Sequence, residues 1–207
     1  MQPLGYLRPL SPASEAYGIS RDGSSVVGYS QSGTEEAFVW REGTGMQPLA
    51  PLAPGADSSA NAVNADGSVI AGASGSFAAR WTSAGVESLG TLPGALFSHA
   101  YAISDDGNVV GGSTSGGPLP QTAMVWTPGT GAVGLADYLG SFGLTVTPGW
   151  RTKDVFAISG DGRTFAGDAV SDSGVIEGFV ATVPAPAGAV LVLAPAILFP
   201  RRRCACR

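Results

Sequence analysis

Short β-branched or aromatic runs, each ending at a glycine, recur along this chain: Val26-Val27-Gly28, Val69-Ile70-Ala71-Gly72, Val109-Val110-Gly111 and Thr164-Phe165-Ala166-Gly167. Each is preceded by a matching segment: Ala16-Tyr17-Gly18-Ile19-Ser20-Arg21-Asp22-Gly23, Asn61-Ala62-Val63-Asn64-Ala65-Asp66-Gly67, Tyr101-Ala102-Ile103-Ser104-Asp105-Asp106-Gly107 and Phe156-Ala157-Ile158-Ser159-Gly160-Asp161-Gly162. The pattern predicts strand, turn, strand, with the turn at Asp22-Gly23, Asp66-Gly67, Asp106-Gly107 and Asp161-Gly162. Glycine tolerates a positive φ there, and aspartate can accept bonds from its own backbone nearby. A third strand is predicted at Ala37-Phe38-Val39-Trp40, Ala78-Ala79-Arg80-Trp81, Ala123-Met124-Val125-Trp126 and Gly178-Phe179-Val180-Ala181. A fourth falls around Met46-Gln47-Pro48-Leu49, Val86-Glu87-Ser88-Leu89 and Val133-Gly134-Leu135.

The Asp-Gly pairs lie 44, 40 and 55 residues apart, taking Gly23, Gly67, Gly107 and Gly162 in turn. Four short strands per unit at such a period match propeller blades. The expected fold is all-β: four propeller-like repeats of about four short antiparallel strands over residues 1–183. A C-terminal sorting and membrane-anchor tail is expected at 184–207, its short apolar segment read as helical. The long last interval carries an insertion at 136–154, where Leu135, Leu139 and Phe142 predict a short helix ending near Gly143. The last repeat has no fourth strand of its own. Met1-Gln2-Pro3-Leu4-Gly5 nearly duplicates Met46-Gln47-Pro48-Leu49-Ala50. Two arrangements fit this spare strand: it completes the last blade and closes the ring, or it is the end of an upstream repeat.

Composition supports the strand reading, with 31 glycines and 15 prolines against 13% charged residues. Charge then narrows the function. The body carries all sixteen acidic residues, while four of the eleven basic ones are Arg201, Arg202, Arg203 and Arg207. With Lys153 as its single lysine, the body offers no basic stripe for phosphates, which argues against nucleic acid as a partner. Both cysteines, Cys204 and Cys206, lie in the tail, so the body has no thiol for a disulfide, a metal or nucleophilic catalysis. No charged region followed by an apolar run opens the chain at Met1; export would call for a start further upstream.

Few residues suggest chemistry. His99 is the sole histidine, and a loop position is expected for it, without a catalytic role. Glu35, Glu36, Asp154 and Asp168 are the carboxylates from which a glycoside-hydrolysing pair could be drawn. The Asp-Gly turns lack the remaining ligands of a calcium loop, and turn geometry accounts for them without an ion. No cofactor is expected. Trp40, Trp81 and Trp126 occupy equivalent strand positions and are read as packing between blades. Trp150, outside the periodic set, is the expected exposed aromatic.

From Pro184 the chain runs apolar to Pro200, without a charge, and then meets Arg201-Arg202-Arg203. Such a run is marginal for crossing a bilayer as a helix, for which about 20 residues are needed. The arginines beyond it would stay cytoplasmic and leave the repeats outside. Val183-Pro184-Ala185-Pro186, the apolar stretch and the arginine cluster together resemble a PEP-CTERM sorting tail, with Ala185 standing where the family commonly has glutamate. The repeats resemble HAF-type extracellular repeats. These resemblances imply a sorting motif at Val183, Pro184, Pro186, Arg201, Arg202 and Arg203, an exosortase-type enzyme as partner, and transient membrane anchoring. They also imply an extracellular or cell-surface setting near exopolysaccharide. The function expected is that of a non-enzymatic structural or adhesive repeat protein; the rival is a secreted carbohydrate-active hydrolase using acidic residues at the propeller mouth.

Overall fold

A computed structural model describes residues 2–8, 13–31 and 33–185. These form fifteen strands and one short helix, arranged as four antiparallel sheets. The first sheet contains β1 (Ala13–Ile19), β2 (Ser25–Gln31), β3 (Glu35–Arg41) and β4 (Gly45–Pro48). The second contains β5 (Ser58–Val63), β6 (Ile70–Ser74), β7 (Phe77–Thr82) and β8 (Gly85–Gly90). The third contains β9 (Phe97–Ile103), β10 (Val110–Ser115), β11 (Thr122–Thr127) and β12 (Gly131–Gly134). The last contains β13 (Trp150–Ile158), β14 (Thr164–Ser171) and β15 (Ile176–Thr182). Each sheet is a meander whose spatial order follows the chain. The first strands of successive sheets touch one another, β1 on β5, β5 on β9 and β9 on β13, and so form the inner, axial side of the array.

Each Asp-Gly pair closes its hairpin within a larger hydrogen-bonded turn. In the first blade Ser20 and Ser25 bracket it: Ser20 N–H donates to the Ser25 carbonyl at 2.9 Å, and Gly23 N–H returns to the Ser20 carbonyl at 2.9 Å. The Ser20 hydroxyl donates to Asp22 Oδ1 at 2.6 Å, and that oxygen also accepts from Ser24 N–H at 3.0 Å. Ser104 and Ser159 repeat the role of Ser20, while Asn64 takes it in the second blade. The glycines hold φ of 75°, 73°, 73° and 72°, values that a side chain would strain.

Turn is also joined to turn. Arg21 N–H donates to the Ala65 carbonyl at 3.2 Å, Ala65 N–H to Asp105 at 3.2 Å, and Asp105 N–H to Gly160 at 2.9 Å. One backbone bond therefore links each blade to the next at the axis, and Arg21 reaches further to ion-pair with Asp105.

These turns make the fold acid-sensitive. Hydrogen bonds from Ser20 and Ser24 hold Asp22 down to about 2. Asp66, Asp106 and Asp161 are lowered in the same way by the Ser68, Ser104 and Ser159 hydroxyls and neighbouring amides. A carboxyl depressed by folding contributes stability above its unfolded pKa, about 3.9, and loses it as pH falls through the folded value. The melting temperature should therefore drop steadily between about pH 4 and pH 2; a flat profile across that window would show that the turn bonds contribute nothing.

The core lies between the sheets rather than within one. Val27, Ala37 and Val39 of the first blade meet Ala60, Ile70, Ala79 and Trp81 of the second. Ala71 and Ala78 of the second meet Ala100, Val110, Met124 and Trp126 of the third, and Ala123 and Val125 of the third meet Val155 and Phe165 of the fourth. Trp81 and Trp126 are thus core residues between blades; Trp81 also donates its indole N–H to the Ala50 carbonyl at 2.7 Å. Trp40, at the same position in the first blade, is only half-buried because no blade precedes it among the described residues. The other end shows the same effect. Val39 and Val125 are 5% and 0% exposed, whereas their counterpart Val180 in the last blade is 72% exposed. Ile19 on the first blade is 64% exposed. The first and last blades do not cover each other, and the array is an open arc.

Helix α1 (Leu135–Gly140) lies in the insertion, as its spacing predicts. Leu135 and Leu139 seal the interface between the last two blades, and Gly143 (φ 77°) ends the turn with Leu144 N–H on the Leu139 carbonyl at 3.1 Å. Residues 2–8 form no strand and rest on the first blade: Leu7 N–H donates to Ser30 Oγ at 3.0 Å, and Arg8 pairs with Glu36 at 2.8 Å. Ring closure through this segment is therefore not what the structure adopts. Of the tail, Val183 is buried against Phe165 and its neighbours, and Pro184 comes directly after it. Pro186, Arg201, Arg202, Arg203 and the apolar segment expected as a helix lie outside the described residues. No described helix is long and apolar enough to cross a membrane.

Candidate functional site

Each inner strand bulges at one equivalent position against its partner, and β13 skips a further residue, Lys153. Pairing runs Ala16 to Gly28 and then Gly18 to Val27, which leaves Tyr17 unpaired. Asn61, Tyr101 and Phe156 are skipped identically in β5, β9 and β13. A bulge re-aims the side chain it carries and deepens the local twist. Glycine makes the bulge possible on the neighbouring strand. A Cβ at Gly28, Gly72, Gly112 or Gly167 would overlap the carbonyl oxygen of Glu15, Ser59, His99 or Asp154 respectively. The bulge pushes that carbonyl against a backbone which must be bare.

The outcome is a row of bulged side chains on the axial side: Tyr17, Asn61, Tyr101 and Phe156. The Tyr101 and Phe156 rings lie 5.5 Å apart, and His99 stands edge-on to Tyr101 at 6.2 Å. Tyr17 pairs with Tyr29 of β2 at 5.7 Å. Tyr17, Tyr29, Asn61, His99 and Tyr101, with Glu35 and Ser59, border an open cleft of about 430 Å³ across the first three blades, and Phe156 of the fourth stands beside it against Tyr101. The cleft lies at the end of the blades opposite the Asp-Gly turns, since Glu15, Tyr29 and Glu35 sit at the far ends of their strands.

The cleft is aromatic, polar and free of lysine and arginine among its lining residues. The Tyr17 hydroxyl donates to Glu15 Oε2 at 3.1 Å. Loss of water around the ring, together with the Glu15 carboxylate, pushes this phenol up to about 12, and the same carboxylate raises Tyr29. Both phenols stay protonated at neutral pH. The Asn61 amide donates to the Ala100 carbonyl at 2.7 Å across the blade boundary, which fixes its orientation. Such a surface can stack on flat apolar faces and exchange hydrogen bonds with hydroxyl or amide groups.

The residues singled out from sequence are only partly gathered here. His99 lies in β9 rather than on a loop, exposed and bordering the cleft. Glu35 also borders it, whereas Glu36 faces Arg8 in a separate groove. Asp154 and Asp168 are cross-strand partners in the last blade. Asp154 is buried and accepts from Gln121 Nε2 at 2.7 Å, with Lys153 Nζ 3.1 Å away. Half-buried Trp150 borders a second groove, of about 420 Å³, between the insertion and β15. The Asp-Gly turn residues lie at the opposite mouth, where the carboxylates are engaged with their own turns. Sequence reasoning does not gather Tyr17, Asn61, Tyr101 and Phe156 as a group, although they occupy one column of the aligned repeats.

No protein family matches the chain, and no characterised relative does. Among solved structures it is similar to putative TolB from Agrobacterium tumefaciens, at 15% identity and a TM-score of 0.51, over 84% of this chain and 63% of that one. TolB from Acinetobacter baumannii aligns at 14% identity and a TM-score of 0.49, over 80% of this chain and 42% of that one. The likeness is one of fold. The Agrobacterium likeness agrees with a β-propeller-like stack of blades, and the chain spans less than two thirds of either structure's length.

Proposed function

We propose that this chain is a non-enzymatic binding module, sorted to the cell surface, which holds a segment of extracellular polysaccharide in the axial cleft. The observation that carries the reading is the fourfold bulge. One structural device, repeated in every blade, turns Tyr17, Asn61, Tyr101 and Phe156 onto a single open surface. Sugar rings offer an apolar face for stacking and hydroxyls for Asn61, Ser59, Glu35 and the tyrosines. The rings are held by strands, so little entropy is lost on binding. The four carboxylates considered for hydrolysis are spread over three places, which favours binding over turnover.

The setting rests on the tail. The order of Val183-Pro184-Ala185-Pro186, the apolar run and the arginine cluster is what resembles a PEP-CTERM signal, and it assigns an exosortase-type enzyme as processing partner with transient anchoring in the inner membrane.

Binding to a panel of bacterial exopolysaccharides by affinity electrophoresis tests the proposal. Tyr101→Ala, which removes the central ring of the row, should weaken binding about tenfold, in keeping with loss of a buried aromatic anchor. Unchanged retardation for both Tyr17→Ala and Tyr101→Ala would sink it. Polymer breakdown that disappears in Glu35→Gln would establish the hydrolase instead.

A further inference from the structure

Among the described residues the last blade is one strand short, and the chain carries a spare copy of the strand that the other blades have there. Its sheet ends at β15, whose outer edge has no partner among the described residues, whereas the other three sheets continue to a fourth strand. In the first blade that strand is Gly45–Pro48, paired so that Val39 faces Gln47 and Phe38 faces Pro48. Gln2-Pro3-Leu4 repeats Gln47-Pro48-Leu49 residue for residue.

The likeness extends into the connection beyond each copy. Leu52 N–H donates to Ser74 Oγ at 2.9 Å as the chain passes from β4 into the second blade, and Leu7 N–H donates to Ser30 Oγ at 3.0 Å in front of the first. Residues 2–8 therefore already hold the course of a strand-to-blade connection, without a sheet to pair with. Within one molecule they cannot serve the last blade in this arrangement. They are fastened to the first blade, and Ile19 and Val180 remain exposed at the two ends of the arc.

The geometry points to strand donation between copies: Gln2-Pro3-Leu4 of one molecule adds to the edge of β15 of another, with Gln2 opposite Val180 and Pro3 opposite Phe179. An open strand edge is a ready template for an added strand, and main-chain bonds supply the affinity. The donor's first blade then arrives beside the acceptor's last, so that Val180 and Ile19 are covered as Val39 and Val63 are inside one chain. The axial bond series would also continue. The Gly160 N–H and the Arg21 carbonyl, which have no partner among the described residues, stand at its two ends. The contact is heterologous, head to tail, and yields chains of molecules or a ring according to whether the rotation closes.

Sedimentation velocity of the full chain over a concentration series tests this, alongside Gln2→Pro and Val180→Lys. Both positions are exposed, so neither change disturbs the folded body. Proline removes a main-chain donor from the added strand. The wild-type chain should associate with rising concentration, and each variant should weaken association about tenfold or more; a synthetic peptide of residues 1–9 should compete. A wild-type chain that stays monomeric would overturn the proposal. So would association that both variants leave unchanged, which would assign self-association to the apolar tail.

Discussion

Gly112→Ala is expected to cost about 3 kcal/mol or more, by overpacking against a backbone atom that has no room to retreat. The added methyl would overlap the His99 carbonyl oxygen and crowd Ala100 Cα, both fixed by the β9–β10 ladder. In a chain of this size that loss lowers the melting temperature by roughly 6 to 12 °C. Gly140→Ala is the matched control. Gly140 lies in α1, its φ is not positive, and nothing stands within 4 Å of the added carbon, so the change should be neutral or stabilise by up to about 1 kcal/mol. Calorimetry on the two variants reads both signs. Equal and small effects would mean that the bulges are not where the register places them.

Phe165→Ala should be comparably severe, at about 3 to 5 kcal/mol. Phe165 is fully buried between the last two blades with Val155, Leu135 and Leu139, and stands edge-on to Tyr138 at 5.7 Å. Its removal leaves a cavity that rigid sheets on both sides cannot collapse. Because the fourth blade has only one neighbouring blade among the described residues, this cluster is the apolar packing that joins it to the rest. Val180→Ala, in the same blade but on its open face, should stay within about 0.5 kcal/mol. Urea midpoints for the pair test the assignment; similar losses for both would show that the outer face of the last blade is packed.

Much of the fold is legible in the sequence because it is written four times. Asp-Gly followed by Val-Val-Gly or its equivalents marks the hairpins, the column of Trp40, Trp81 and Trp126 marks the third strand, and Leu135-Leu139-Phe142 marks the helix. The bulges are not legible. Ala16-Tyr17-Gly18-Ile19 reads as a plain strand, and the extra residue shows only against the partner strand, where Gly28 reads as the close of a run rather than as the space a carbonyl needs. The cleft is hidden with the bulges that build it. The roles of Ser20, Ser104 and Ser159 are hidden because a serine before a turn is common, and only the bracketed geometry distinguishes it. The aligned columns hold the missing signal: a large residue just after the small Ala16, Ala60 and Ala100, at the place where alternation fails.

Amide exchange at the four axial turn residues addresses the central claim, that the repeats are blades packed side by side around one axis. Arg21, Ala65 and Asp105 donate across blades and should exchange slowly despite lying in turns, while Gly160, at the end of the series, should exchange rapidly in the dilute, unassociated chain. Fast exchange at all four positions would contradict the arrangement, because hairpins folded independently of one another would leave every one of these amides to water.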